Sequence, residues 1–494
     1  MRLTKLAACL KDGEIYGENG GETEVENLCI DSREVKAGAL FFCLSGDNAD
    51  GHDYAVAAVK NGAVAIVSER KIEVSVPQLL VRDGRKALAL ISSAFYGYPS
   101  ERMKVIGITG TNGKTTTAAM LAAILEAAGK CVGVIGTLGT RFLDKYIPPK
   151  LTTPDPIELQ KMLAQMSALG VEYAVMEVSA HALYYHKVEG IRFCACIFTN
   201  LTQDHLDFFP SMREYKEAKS RLFEEEICSL AVINGDEEVG REFGKCREQM
   251  LKAGKTLYYG LHTPAEAFAL ITDESLRSTE CMLNICDTLC RVSLPCIGKH
   301  NVYNALAAAT CAIELGVEPL AVQKGLRTLQ GVRGRLESVG EYNGAKVFVD
   351  FAHTPDGLQK SLQTLKPHCL GRLVCLFGCG GDRDKSKRPI MGEAAAKYSD
   401  FCVLTSDNPR YEDPLDIISD IEKGYRRFSL KYVVVPDRKK AIEYALDSLQ
   451  NGDVLLVAGK GGEEYQEIMG IKYPFNDNDI IEKIFKEKRE GFLL

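Results

Sequence analysis

The chain reads as an α/β protein of three domains, the middle one built on a mostly parallel sheet. Its 494 residues suffice for about three domains at ~150 residues each. Short apolar runs of strand length alternate with helical patches along the whole sequence. Within VIGITGTNGKTTTAAMLAAILEAAG, a strand-like run, a glycine-rich turn and an Ala/Leu-rich helix follow one another in the order of a phosphate-binding βα unit.

The first unit, residues 1–101, carries the strand-like runs LCIDS, ALFFCL, AVAIVS and QLLVRD between helical patches such as YAVAAVKNG, which predicts a small α/β domain. The second, residues 102–331, continues from the glycine-rich turn through the buried-strand runs CVGVIG, YAVMEVS, CACIFTN and LAVING, with helical segments between them. Residues 256–294 predict short strands and turns, an antiparallel flap at the sheet edge, and the helix NVYNALAAATCAIELG is expected to close the unit at Gly316. The third, residues 332–494, alternates KVFVDFA, RLVCLFG, FCVLTSD, YVVVP and DVLLVAG with helices. Ligands in such folds sit at the carboxyl ends of strands, where the motifs below fall.

Composition bounds the function. A net charge of −7 without a basic run argues against nucleic-acid binding. The apolar patch of MRLTKLAACLKDGE is too short for a signal peptide, and no uncharged apolar run approaches the ~20 residues of a membrane span. The seventeen cysteines include no CxxC and lie mostly in apolar stretches such as FCACIFTN, as buried thiols do; a reducing cytoplasm fits them.

The strongest local signal is Gly110-Thr111-Asn112-Gly113-Lys114-Thr115-Thr116. Glycines let backbone N–H groups approach phosphate oxygens, the helix that follows presents its positive end, and Lys114 adds a point charge. Thr115 offers a hydroxyl to Mg²⁺. The strict G-x-x-x-x-G-K-[ST] pattern is not met, since position 108 is Ile. Such a loop serves GTPases, kinases, motors and ligases alike, so other residues must decide the reaction.

GTNGKT resembles the phosphate loop of the Mur ligase superfamily, and the resemblance extends over all three domains. It implies an N-terminal domain for a uridine nucleotide, a central ATPase domain and a C-terminal Rossmann-like domain for an incoming amino acid. It further implies an ATP-dependent amide ligase that acts through an acyl phosphate in peptidoglycan precursor synthesis. ATP is the expected co-substrate and Mg²⁺ the expected cofactor, and a monomer is expected. By the same resemblance Glu177 of MEVSAHAL and His205 of TNLTQDHLD belong to the metal site, and Lys219 of YKEAKSRLF is carbamylated to give a further Mg²⁺ ligand. His300, Asn301, Arg335, Asp350 and His353 would close over ATP. Ile30, Ser32, Asp47, Asn48, Ala49, Thr152, Thr153, Ser179 and Lys187 would hold the UDP-linked muramoyl dipeptide. The chain departs from some members at Tyr185, where they have Gln, and at Lys187, where they have Arg; a lysine cannot reproduce a bidentate arginine contact. Arg383, the tetrapeptide Asp407-Asn408-Pro409-Arg410, Gly459 and Glu463 would bind the amino acid. Members that use meso-diaminopimelate carry DNPR; the distal carboxylate absent from lysine gives Arg410 a partner to grip bidentately. The alternatives are a lysine-adding ligase, a folylpolyglutamate synthetase-like ligase and, in a different class, a phosphate-loop switch that hydrolyses nucleotide without forming an amide.

Overall fold

The computed structural model describes residues 1–491 except 19, 47, 48, 225, 226, 251–253 and 330. Three large sheets follow one another along the chain. The first has five strands in the spatial order Glu14–Tyr16, Gln78–Leu80, Ala63–Ser68, Ala39–Phe42, Asn27–Cys29, and only its first pair is antiparallel. The helix Gly84–Phe95, capped by Asp83 accepting from the Lys86 amide at 2.9 Å, buries Leu88 and Ile91 in the core with Leu40, Phe42, Val67 and Leu79.

The central sheet has eleven strands. Five parallel neighbours form its middle: Cys228–Asn234, Phe193–Phe198, Lys104–Thr109, Tyr173–Glu177 and Val132–Gly136. Buried Ile106, Ile108, Val175, Ile197 and Val232 on one face, and Val105, Ala174, Met176, Cys196 and Ile233 on the other, make these strands apolar on both sides, as a parallel sheet covered by helices requires. One edge continues through Lys255–Gly260 and Ala267–Glu274, each parallel to the strand before it, and ends in Thr279–Ile285 and Thr288–Leu294, each antiparallel to its predecessor. The expected antiparallel flap therefore begins at Ala267 rather than 256, because KTLYYG joins the parallel ladder and Ala267–Glu274 is the first strand with an antiparallel neighbour. At the other edge lies a hairpin the sequence reading lacked, Gly139–Phe142 with Lys145–Ile147. Its turn places Leu143 at φ 52°, a conformation usually signalled by Gly or Asn, so turn chemistry did not announce it. The helix Lys299–Glu314 does not end this unit at Gly316, since Pro319–Thr328 adds another helix that packs its Val322 and Leu326 into the same core.

The third sheet has six strands in the order Glu337–Tyr342, Ala345–Asp350, Val454–Ala458, Leu373–Phe377, Phe401–Leu404, Tyr432–Val434, all parallel except the first pair. A separate hairpin, Tyr465–Ile468 with Ile471–Pro474, follows it. All seventeen cysteines are free thiols, ten of them buried. No helix among the described residues is long and apolar enough to cross a membrane.

Candidate functional site

The phosphate loop leaves the strand Lys104–Thr109 and enters the helix Lys114–Ala127 through Gly113 at φ 88°. Both loop glycines are required by close approach: a side chain at Gly110 would collide with Thr199 Oγ1, and one at Gly113 with Asn304 Oδ1. Asn200 braces the loop, accepting from the Asn112 amide at 2.9 Å and donating to the Asn112 carbonyl at 3.1 Å. Thr116, 6% exposed, lies in the first turn of that helix beside Thr115.

Two lysines converge on one carbonyl. Lys114 Nζ donates to the Gly110 and Thr111 carbonyls at 2.8 and 2.9 Å, and Lys219 Nζ donates to Gly110 O at 2.9 Å. Lys219, on the helix Met212–Ser220, is 1% exposed and lies over the Tyr215 ring at 4.5 Å. Burial, then the charge of Lys114, holds its pKa well below the ordinary lysine value, which favours the neutral amine. Burial likewise lowers Lys114, against the opposing charge of Glu177.

Glu177, 2% exposed, ends the strand Tyr173–Glu177. Its Oε2 accepts from Thr115 Oγ1 and Thr137 Oγ1, both at 3.0 Å, and its Oε1 accepts from the Thr137 amide at 2.9 Å. Thr137 was not foreseen; as a small residue after a buried strand it carries no signal until the fold sets it opposite Glu177. Its hydroxyl also meets Thr152 Oγ1 at 3.2 Å, joining the carboxylate to the Thr152–Thr153 segment. Thr153 Oγ1 donates to the Glu177 carbonyl at 2.9 Å and accepts from the Ser179 amide at 3.0 Å. His205, at φ 56°, lies edge-on to His181 with ring centroids 4.9 Å apart, and burial pushes its pKa down to about 3.

The C-terminal unit closes over this loop. Arg335 donates to Thr115 Oγ1 at 3.1 Å while its guanidinium lies 4.5 Å from the centre of the Phe351 ring. Asn112 Nδ2 donates to Asp356 Oδ2 at 3.1 Å, and His353 Nε2 stands 3.6 Å from the buried Asp204 carboxylate. Asp350, raised by burial, accepts from Ser361 Oγ at 2.5 Å. A cavity of about 800 Å³ between the units is lined by Asn112, Thr115, Thr116, His300, Asn301 and Arg335, among others. Burial lowers His300 to about 4, so it faces the cavity as a neutral imidazole near pH 7.

The remaining candidates form two outlying groups. Ile30, 43% exposed, and Ser32 follow the strand Asn27–Cys29, with Ser32 O accepting from Asn61 Nδ2 at 2.9 Å. Asp47 and Asn48 lie outside the described residues; Ala49 is described, and its carbonyl accepts from the Gly46 amide at 2.9 Å. Lys187 pairs with Asp155 at 2.6 Å, and Tyr185 lies under the Arg85 guanidinium at 4.3 Å, so this departure from the Gln pattern joins the first unit to the second.

In the third unit Arg410 adopts φ 52°, with Nε donating to Glu467 Oε2 at 3.1 Å and NH1 to the Gly381 carbonyl at 2.7 Å. The Gly381 amide donates to Asn408 O at 2.9 Å, zipping the Arg383 loop to Asp407-Asn408-Pro409-Arg410. At Gly459 a Cβ would lie 2.5 Å from Asp407 Oδ2, so only glycine lets that carboxylate approach. Glu463 accepts from Asn408 Nδ2 at 2.9 Å. Arg383 reaches across to Asp207 at 3.3 Å, and Gln203 donates to Asp384 at 3.3 Å, so the His205 loop and the Arg383 loop are in contact. The structure thus links the phosphate loop, the Glu177–Thr152 segment and the Arg383–Arg410 loops through successive hydrogen bonds; among the described residues, none joins the Ile30–Ser32 loop to that network.

A phosphate-loop domain, enclosed by a second α/β unit that sends an arginine onto its threonine, defines a multidomain α/β phosphate-loop protein. The Mur ligase family, catalytic domain matches residues 24–96, the Mur ligase middle domain residues 108–312, and the Mur ligase, glutamate ligase domain residues 334–461. The chain is 43% identical over 494 residues to the UDP-N-acetylmuramoyl-L-alanyl-D-glutamate--2,6-diaminopimelate ligase of Caldanaerobacter subterraneus subsp. tengcongensis, covering 99% of this chain and 100% of that one. It is 42% identical over 496 residues to the enzyme of the same name, numbered 1, from Clostridium acetobutylicum, with the same coverage. A solved structure of a UDP-N-acetylmuramoyl-L-alanyl-D-glutamate--2,6-diaminopimelate ligase matches with TM-score 0.72 at 30% identity over 99% of both chains. The MurF ligase of Thermotoga maritima in complex with ADP shares the fold, with TM-score 0.64 at 22% identity over 95% of this chain and 98% of that one. The chain belongs to the Mur ligase family.

Proposed function

We propose that this protein couples meso-diaminopimelate to the D-glutamyl γ-carboxylate of UDP-MurNAc-L-Ala-D-Glu at the expense of ATP. The observation that carries the reading is Arg410, held by Glu467 and the Gly381 carbonyl beside the Arg383 loop, which itself meets the phosphate-loop domain at Asp207, in a chain more than 40% identical to ligases named for that amino acid. We divide the labour among residues 1–101 for the uridine end, 102–331 for ATP, and 332–494 for the amino acid.

ATP would lie in the cavity, its phosphates on the Gly110–Thr116 loop, with Arg335 and Lys114 against the transferring group and His300 and Asn301 on the cavity wall. Asp350 and His353 brace the closing segment. Ile30, Ser32, Asp47, Asn48 and Ala49 would hold the uridine end, and Thr152, Thr153, Ser179 and Lys187 the dipeptide. The donor set suits Mg²⁺: the hydroxyl of Thr115 and the carboxylate of Glu177 are hard oxygen ligands one hydrogen bond apart, with His205 a further candidate. When bound, the ion supplies charge to the phosphoryl oxygens. Burial lowers the pKa of Lys219 and so favours the free amine that carbamylation needs; its addition to CO₂ with loss of a proton would leave an anionic carbamate in place of a side chain that is otherwise neutral or cationic, and the carbamate would serve as a further ligand.

The reaction balances in two steps. The γ-carboxylate oxygen attacks the terminal phosphorus in line and ADP leaves, giving an acyl phosphate. The amine of diaminopimelate then attacks the acyl carbon, loses a proton, and the amide forms as phosphate departs. Arg383, Asp407, Asn408, Pro409, Arg410, Gly459 and Glu463 would hold the amino acid, Arg410 and Glu463 at the carboxylate and ammonium remote from the reacting amine, and the closed third unit excludes water from the acyl phosphate. We place this work in the cytoplasm, with a single chain supplying every group. The test offers the full-length protein UDP-MurNAc-dipeptide, ATP and Mg²⁺ with either meso-diaminopimelate or L-lysine. Tripeptide product with diaminopimelate is expected; faster turnover with lysine overturns the specificity, and ATP hydrolysis without amide overturns the ligase reading.

A further inference from the structure

Lys460, between Gly459 and Gly461 just beyond the strand Val454–Ala458, has a fully buried side chain. Its ammonium donates to Asn408 Oδ1 at 3.0 Å and Glu463 Oε2 at 2.9 Å, and faces the Tyr465 ring at 5.7 Å. Asn408 Nδ2 closes the triangle on the same Glu463 oxygen at 2.9 Å, while Asn408 Oδ1 also accepts from the Glu467 amide at 2.9 Å. Glu467 in turn holds Arg410 Nε at 3.1 Å. One buried ammonium therefore touches Asn408 and Glu463, both assigned above to the amino-acid site, and reaches Arg410 through Asn408 and Glu467.

We propose that Lys460 is a positioning residue that sets the charge balance of this subsite and thereby selects a zwitterionic end group over a bare ammonium; the proposal rests on the reading of the site as the diaminopimelate subsite. A buried ammonium is tolerated only when paired, so Lys460 binds Glu463 obligatorily and turns its Oε2 inward, leaving Oε1 as the oxygen for a ligand. Two pairs then stand at the subsite, Lys460 with Glu463 and Arg410 with Glu467, and their charges cancel. An incoming ammonium and carboxylate together add no net charge and satisfy Glu463 and Arg410 at once. The bare ammonium of lysine adds a positive charge and leaves Arg410 without a ligand partner. Removing the charge of Lys460 leaves Glu463 without its partner and makes the subsite one charge more negative, a change that favours a bare ammonium over a zwitterion.

The experiment measures kcat/KM for meso-diaminopimelate and for L-lysine with the full-length protein, UDP-MurNAc-dipeptide, ATP and Mg²⁺. Lys460→Met should shift the ratio of the two toward lysine by about tenfold, the effect of about 1.4 kcal/mol of differential binding. Lys460→Arg should keep the natural ratio. Lys460→Gln, which retains a donor for Glu463 without the charge, carries the same test should the Met variant fail to fold. In Lys460→Met/Glu463→Gln, where both charges of the pair are gone, the ratio should return toward the natural one. An equal loss on both amino acids in Lys460→Met and Lys460→Gln overturns the proposal while leaving the ligase reading intact. Wild-type protein that makes no product with diaminopimelate overturns the reading and the proposal together.

Discussion

Arg438 and Asp477 form an ion pair with no solvent exposure on either side chain, thirty-nine residues apart in sequence. Nε and NH2 of the guanidinium meet the two carboxylate oxygens at 2.8 and 2.6 Å, and further donations reach the Ala458 carbonyl at 3.0 Å and the Ser406 carbonyl at 3.4 Å. These carbonyls precede Gly459 and Asp407, so one side chain ties together the two strand ends from which the amino-acid loops emerge. Replacing Arg438 by Met strands a buried carboxylate and frees two carbonyls. Breaking such a pair from one side costs about 3–5 kcal/mol. For a domain of this size that lowers the melting temperature by roughly 6–20 °C, at about 2–4 °C per kcal/mol. The assay is urea and thermal unfolding of the full-length protein, followed by the KM for the amino acid in whatever folds. Arg438→Met/Asp477→Leu, which removes both charges, should regain more than half of the loss. A single-variant loss under about 1 kcal/mol, or a double variant no better than the single one, refutes the argument that the cost is an unpaired buried charge.

Three other expectations concern the site and its frame. Arg410→Ala should raise the KM for diaminopimelate at least about tenfold, consistent with loss of a charge-assisted contact worth about 1.5–3 kcal/mol, while the KM for ATP stays near its natural value; an unchanged amino-acid KM removes Arg410 from the pocket. Lys219→Ala should abolish ligation with partial rescue by a short carboxylate, and labelled bicarbonate should give a carbamate carbon signal in the natural protein that the variant lacks; full activity in the variant overturns the carbamate. Glu412 is held down to about 2 by its bond to the buried Arg388 guanidinium. Because its folded pKa lies below the ordinary 4.5, its contribution is complete above that value and lost as pH falls toward 2. The natural protein should therefore lose stability over that window more steeply than Glu412→Gln, and parallel unfolding profiles contradict this.

Much of the architecture was legible because parallel strands buried on both faces must be apolar throughout, as in YAVMEVS and CACIFTN, and because the phosphate loop concentrates its chemistry in seven consecutive residues. What stayed hidden depends on partners distant in sequence. Thr137 gains meaning only when the sheet sets it against Glu177, forty residues on. Arg438, in PDRKKAIEYA, reads as one more cation on a solvated helix until Asp477 is folded against it. Lys460 sits in a glycine-rich stretch that promises a mobile loop, yet it is sealed by Asn408 and Glu463. Contacts between the Asp207 and Arg383 loops belong to the closure of one unit on another, which no local pattern encodes.

A ligation through an acyl phosphate transfers phosphate to the substrate carboxylate before the amide forms. UDP-MurNAc-dipeptide with heavy oxygen in its D-glutamyl γ-carboxylate, turned over with ATP, Mg²⁺ and diaminopimelate, tests it directly. Inorganic phosphate carrying one heavy oxygen per amide bond is the predicted result. Unlabelled phosphate formed in step with the amide would contradict the account.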